Sequence, residues 1–131
     1  MNKARFFDWL LVAAWSFIIY FISDMPHLKT ELGFLDLILR KIAHMVEFGI
    51  LYFLFYRAVM QSFNLNPRGA FTASFIFCFL YAVSDEVHQS FVPGRTGSWK
   101  DVAFFDLAGI LIASYLVKKW YRTRKYFFVQ F

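Results

Sequence analysis

The feature that most constrains this chain is a succession of four long apolar stretches divided by short polar connections, at about 7–23, 42–61, 69–87 and 102–117. A bilayer core takes about 20 mostly apolar residues of helix, and each stretch approaches that length. The first carries no charge from Trp9 onward, and the third none through Ser84. The second holds His44, Glu47 and Arg57, and the fourth holds Asp106. No run sustains the alternation of a half-buried strand, and a lipid-exposed strand edge would leave its backbone groups unpaired. The pattern therefore predicts an all-α fold: a polytopic membrane four-helix bundle, read as one transmembrane domain over 1–131. Composition agrees. The chain is 60% hydrophobic and 18% charged, against about 45–50% and about 25% in soluble domains, and 131 residues are too few to bury the surplus. Composition therefore argues against an ordinary soluble enzyme and against a disordered or collagenous chain.

The connections differ in kind. Asn64-Leu65-Asn66-Pro67-Arg68-Gly69 reads as a short turn punctuated by Pro and Gly. The stretch 25–40 is longer, and Leu32, Phe34, Leu35, Leu37, Ile38 and Leu39 predict a short helix lying at the interface. The segment 91–98, with Pro93-Gly94 and Gly97, predicts an irregular outer loop. Small-residue cleavage spacing is missing after Ile22, so the first stretch is expected to remain in place as a helix. The single Cys78 lies in the apolar run 75–79 and reads as a packed hydrophobe.

With four spans, both termini share a side with Lys3, Arg5, Arg57, Arg68, Lys118, Lys119, Arg122, Arg124 and Lys125, leaving Lys29, Arg40, Lys41, Arg95 and Lys100 opposite. This bias places both termini in the cytoplasm of a multi-pass cell-membrane protein. It also accounts for the net charge of +5 without nucleic acid as a partner. Membrane lipid is the partner the composition implies.

Polar residues crowd the outer end. All three histidines and every acid except Asp8 fall in or next to the outer connections. Lys41, His44 and Glu47 recur at threes and share a helix face, as do Asp85 with His88 and Glu86 with Gln89. Ionisable groups near a bilayer are costly, so they point inward, pair, or line a cavity. Candidate acid–base residues are His44, Glu47, Asp85, Glu86 and His88. Candidate substrate-binding residues are Lys41, Gln89, Arg95, Ser98, Asp101 and Asp106. Arg95 offers a planar fork of donors suited to carboxylate or phosphate, and is expected to approach Asp85 or Glu86. Ser98 stands where it could cap the fourth helix. The pairs His44/Glu47 and Asp85/His88 each set a His and a carboxylate three apart, as in bundles that hold metals. No His-Glu-x-x-His motif accompanies them, so a metal and its identity stay open.

Ser23-Asp24-Met25-Pro26-His27, then Lys41 with His44, then Asp85-Glu86-Val87-His88-Gln89-Ser90-Phe91-Val92-Pro93-Gly94-Arg95 with Ser98 and Asp101, resemble the VanZ-like family in order and spacing. The resemblance runs from about Ser23 to Gly109 and is most specific between Asp85 and Asp101. It implies a small polytopic membrane protein of the cell envelope, in a family whose namesake is associated with resistance to the glycopeptide teicoplanin. One departure stands out. The family sets an Asn or Asp about one helical turn after its Asp, then a Gly, whereas here Asp106 follows Asp101 by five residues and Gly109 follows Asp106 by three. Either Asp101 or Asp106 fills the family's acid position.

Three function classes compete. In the first, the outer cluster is an enzyme or head-group site for a lipid-linked or phosphate-bearing envelope precursor, or for a glycopeptide. In the second, the same groups form a salt-bridge lid on a non-catalytic scaffold or binding protein. The third, a channel or transporter, needs polar residues through the membrane depth. It ranks last because the segment centres, such as Tyr52-Phe53-Leu54 and Leu111-Ile112-Ala113, are nearly dry.

Overall fold

The computed structural model describes residues 3–26, 34–95, 100 and 102–129. Four long helices account for most of them: α1 (Lys3–Ser23), α2 (Phe34–Ser62), α3 (Pro67–Gln89) and α4 (Leu107–Val129), with a π-helical stretch, Val102–Asp106, leading into α4. Among the described residues there is no strand.

Local sequence explains the boundaries. Pro67 opens α3, where its missing N–H costs nothing, and Asn66 Oδ1 accepts a hydrogen bond from the Gly69 N–H at 2.7 Å. At the other end, the Phe91 N–H donates to the His88 carbonyl and the Val92 N–H to the Gln89 carbonyl. Pro93 then blocks continuation, and Gly94 takes a left-handed φ of 81°. The stretch expected as a separate interfacial helix runs without a break into α2 from Phe34. No Gly or Pro lies between 34 and 48 to interrupt it. Its first turns still expose Phe34, Leu35 and Leu39.

Three interhelical hydrogen bonds set the helix directions. Trp9 Nε1–H donates to Ser62 Oγ, and Trp15 Nε1–H to the Glu47 carbonyl, both at 2.9 Å, so α1 and α2 are antiparallel. Ser23 Oγ–H donates to Asp85 at 2.9 Å, so α1 and α3 end together and run parallel. α4 runs parallel to α2, with Gly109 against Met45 and Ala113 near Gly49.

The packing is inverted relative to a soluble domain. Phe17, Phe21, Leu80, Tyr115 and Leu116 face outward, while Asp8, Ser74, Asp85, Glu86, Gln89 and Asp106 are buried. Small residues such as Ala58, Ala70, Cys78 and Ala82 fill the centre and let the helices approach closely. The rings of Phe55 and Phe77 stack at 4.0 Å and close the gap between α2 and α3.

α1, residues 38–62 of α2, and α3 are each long and apolar enough to cross a membrane. α4 does not reach that measure. Its first half, with the π stretch, matches the fourth expected span, but Lys118, Lys119 and Arg122 charge the second half.

Candidate functional site

Three ionisable side chains from three separate elements converge at the end of the molecule where α1 and α3 terminate. His44 comes from α2, Glu86 from α3 and Asp106 from the π stretch, and their ligating atoms all lie within 4.8 Å of one another. Glu86 and Asp106 are buried, at 6% and 1% exposure. His44 Nδ1 sits 3.2 Å from Asp106 Oδ1. The Phe48 ring, one helical turn on, lies 24° from parallel with the imidazole, with the ring centroids 6.4 Å apart.

The backbone holds Asp106 in place. A π-helix closes i→i+5 rather than i→i+4 and therefore takes an extra residue per turn. The extra residue shifts the register at which Asp106 enters α4; Asp101 lies outside the described residues. Three residues on, Gly109 meets α2 backbone to backbone. A Cβ at Gly109 would fall 2.1 Å from the Met45 carbonyl oxygen and 2.9 Å from Met45 Cα, so only glycine fits. That close approach brings Asp106 level with His44. The sequence pattern Asp-x-x-Gly is therefore a carboxylate and the contact that positions it on one helix face.

The remaining candidates fall into two groups. Asp85 belongs to a closed triangle: it accepts from Ser23 Oγ–H and from Gln89 Nε2–H, both at 2.9 Å, and Gln89 also donates to Ser23 Oγ at 3.1 Å. His88 points away from this triangle, 3.0 Å from Asp24 Oδ1 and tilted against the Tyr20 ring at 4.8 Å. The expected partnership of His44/Glu47 with Asp85/His88 is thus replaced by His44 with Glu86 and Asp106. Glu47 is half-buried on α2, one turn below His44 and within electrostatic range of His44, Asp85 and Asp106. Lys41 Nζ lies over the Phe105 ring, 4.1 Å from its centroid.

Arg95 departs from expectation. It does not pair with Asp85 or Glu86; its hydrogen bonds run to the last turn of α1, from Nη2 to the Ile22 carbonyl at 2.6 Å, and to the segment just beyond it, from Nε to the Met25 carbonyl at 3.3 Å. The last carbonyls of a helix lack intrahelical donors and carry partial negative charge, so a guanidinium satisfies both needs. Burial pulls the Arg95 pKa down from its ordinary value, and the nearby charge of Asp85 opposes that fall. Ser98, like Asp101, lies outside the described residues.

Sequence reasoning assigned no role to Ser23, Asp24 or Tyr20, although a Ser-Asp pair ending an apolar stretch was a usable signal. It also passed over an ion pair at the opposite end, between the buried Asp8 and Arg57. The lone acid at that end and the lone arginine inside the second stretch pointed to it.

Beside the converging trio, a groove of about 400 Å³ runs between α2 and α4. Met45, Gly49, Phe53, Gly109, Ile112 and Leu116 line it, and its upper residues Met45 and Gly109 neighbour the site.

Membrane-length apolar helices, an outward apolar surface and a buried polar cluster at one end define a helical membrane protein. Within that class, the family described as VanZ/LLP1 matches residues 4–122, and the chain belongs to it. No curated protein and no solved structure matches the chain.

Proposed function

We propose that the protein binds, and acts on, a lipid-linked or phosphate-bearing cell-envelope molecule at the His44–Glu86–Asp106 site, from the outer side of the cell membrane. The convergence of three ionisable side chains from three elements carries this reading. Burying two carboxylates near a bilayer is costly, and intramembrane ionisable groups are functional by default. His44 supplies a group that titrates near neutrality in its free form, next to two acids that can hold or return a proton. The groove between α2 and α4 supports the lipid-linked part of the reading: a head group at the site has an apolar wall beside it for its chain.

The topology belongs to the same proposal. α4 lies parallel to α2 and in contact with it, so it crosses the same slab despite its charged second half. Four crossings and the cation bias then put both termini in the cytoplasm and the trio outside. Reporter fusions after Arg68 should read cytoplasmic, and fusions after Lys41 or Lys100 extracytoplasmic.

A second reading is favoured by one specific observation. The Ser23–Asp85–Gln89 triangle and the Arg95 contacts with α1 form a polar tie among helix ends, so this part of the cluster is a structural lid. Teicoplanin survival of cells carrying Glu86→Gln separates the two. Loss of resistance with normal membrane levels supports a site; unchanged resistance assigns the trio to the lid as well.

A further inference from the structure

We infer that His44, Glu86 and Asp106 hold one divalent transition-metal ion. The inference concerns the site proposed above and rests on that reading only for what the ion meets; ion binding itself is tested without any lipid.

The donor set is one imidazole nitrogen and two carboxylates. Sites of this N/O composition suit first-row divalent ions such as Zn²⁺ and Mn²⁺, whereas Ca²⁺ asks for six to eight oxygens. The geometry is close to that of a bound ion. Metal–ligand bonds of about 2.0–2.2 Å in a tetrahedral site separate neighbouring ligand atoms by roughly 3.4 Å. His44 Nδ1 and Asp106 Oδ1 stand at 3.2 Å already, and all three ligating atoms fall within 4.8 Å.

His44 faces the acids with its buried Nδ1, which lies 3.2 Å from Asp106 Oδ1 without the alignment of a hydrogen bond. In the neutral ring that nitrogen can present a lone pair to an ion shared with the carboxylate.

Three protein ligands leave at least one position open, as in catalytic rather than structural zinc sites. A phosphate oxygen of the ligand class proposed above fits that open position, as does a water whose pKa the ion would lower.

The test uses the full chain purified in detergent. Elemental analysis should find about one transition-metal ion per chain. After chelator treatment, adding Zn²⁺ or Mn²⁺ should raise the melting temperature, while Ca²⁺ should not. Glu86→Gln keeps the side-chain volume and should weaken ion binding by at least about 100-fold, more than loss of an outer-shell partner costs. His44→Ala should do the same, and Glu86→Gln covers the case in which His44→Ala does not fold. Absence of a copurified ion together with no shift in the stripped wild type overturns the inference. So does a shift of equal size in Glu86→Gln. Binding of a polyprenyl phosphate by stripped wild type, measured by native mass spectrometry, distinguishes the two claims: a head-group site that works without metal leaves the functional reading standing while the metal falls.

Discussion

The two ends of the helix assembly treat buried charge differently. At the end where α1 begins and α2 finishes, one buried acid, Asp8, meets one arginine, Arg57, and Trp9 donates to Ser62 next to them. Two adjacent helices are joined, one charge against one. At the opposite end, α2, α3 and the π stretch each contribute an ionisable group to a single point, and acids outnumber the imidazole two to one. A clamp needs only two neighbouring helices, whereas the second set draws on three elements. On the reading proposed above, Asp8–Arg57 serves assembly and His44–Glu86–Asp106 serves binding.

The largest effect should come from the contact that brings the functional end together. Gly109→Ala places a methyl 2.1 Å from the Met45 carbonyl oxygen, so α4 must move off α2 and carry Asp106 away from His44. A loss of about 3 kcal/mol or more, the upper range for overpacking, should appear as a fall in melting temperature and in folded yield. Gly49→Ala is the control. Its Cβ would meet nothing nearer than 3.4 Å, and the change should be small. Equal damage from both substitutions would show that the crossing is not as close as described.

Next comes the clamp. Asp8→Ala removes the partner of Arg57, which is 39% exposed on its side chain and so partly screened. A cost of about 1–3 kcal/mol is expected, below the 3–5 kcal/mol of a fully buried pair. The double variant with Arg57→Ala should cost less than the two singles together, because it leaves no unpaired charge. Strict additivity in that cycle would contradict the clamp.

The polar tie at the functional end should be weaker. Asp85→Asn alters two hydrogen bonds, with Ser23 and Gln89, and should destabilise by about 1–3 kcal/mol. Smallest of all is Arg95→Lys, which keeps the charge at the end of α1 but loses the fork that reaches both Ile22 and Met25. About 1 kcal/mol is expected, seen as a slight shift in thermal unfolding. A large loss of polyprenyl phosphate binding with unchanged stability in Arg95→Lys would place Arg95 in the proposed site.

Much of this was legible in the sequence, because apolar length and turn residues are local. The end of α1 at Ser23, the ends of α3 to within two residues, and the Pro93-Gly94 turn were expected from residues at those positions. His44, Glu86 and Asp106 were each recognisable as ionisable groups near one end. Which of them meet was not legible, because it depends on helix rotation. Neighbouring residues of an α-helix point about 100° apart, so Asp85 and Glu86 cannot serve the same partner. Ser23 on α1 takes Asp85, and that choice turns Glu86 toward α2. The reading of spans shows the same limit. The interfacial stretch merged into α2 because nothing breaks it, and the fourth stretch began with a π turn that periodicity of 3.6 does not reveal.

One paired measurement tests the division between the two ends most directly. Glu86→Gln and Arg57→Ala are purified in detergent, and each is assayed for melting temperature and for polyprenyl phosphate binding by native mass spectrometry. The account predicts that Glu86→Gln loses binding while, with both proteins stripped of metal by chelator, its melting temperature stays within about 3 °C of wild type, a shift of no more than about 1 kcal/mol for a chain of this size. Arg57→Ala should melt earlier yet bind wherever it remains folded. Normal binding by Glu86→Gln, or a melting temperature that collapses in Glu86→Gln and holds in Arg57→Ala, would contradict it.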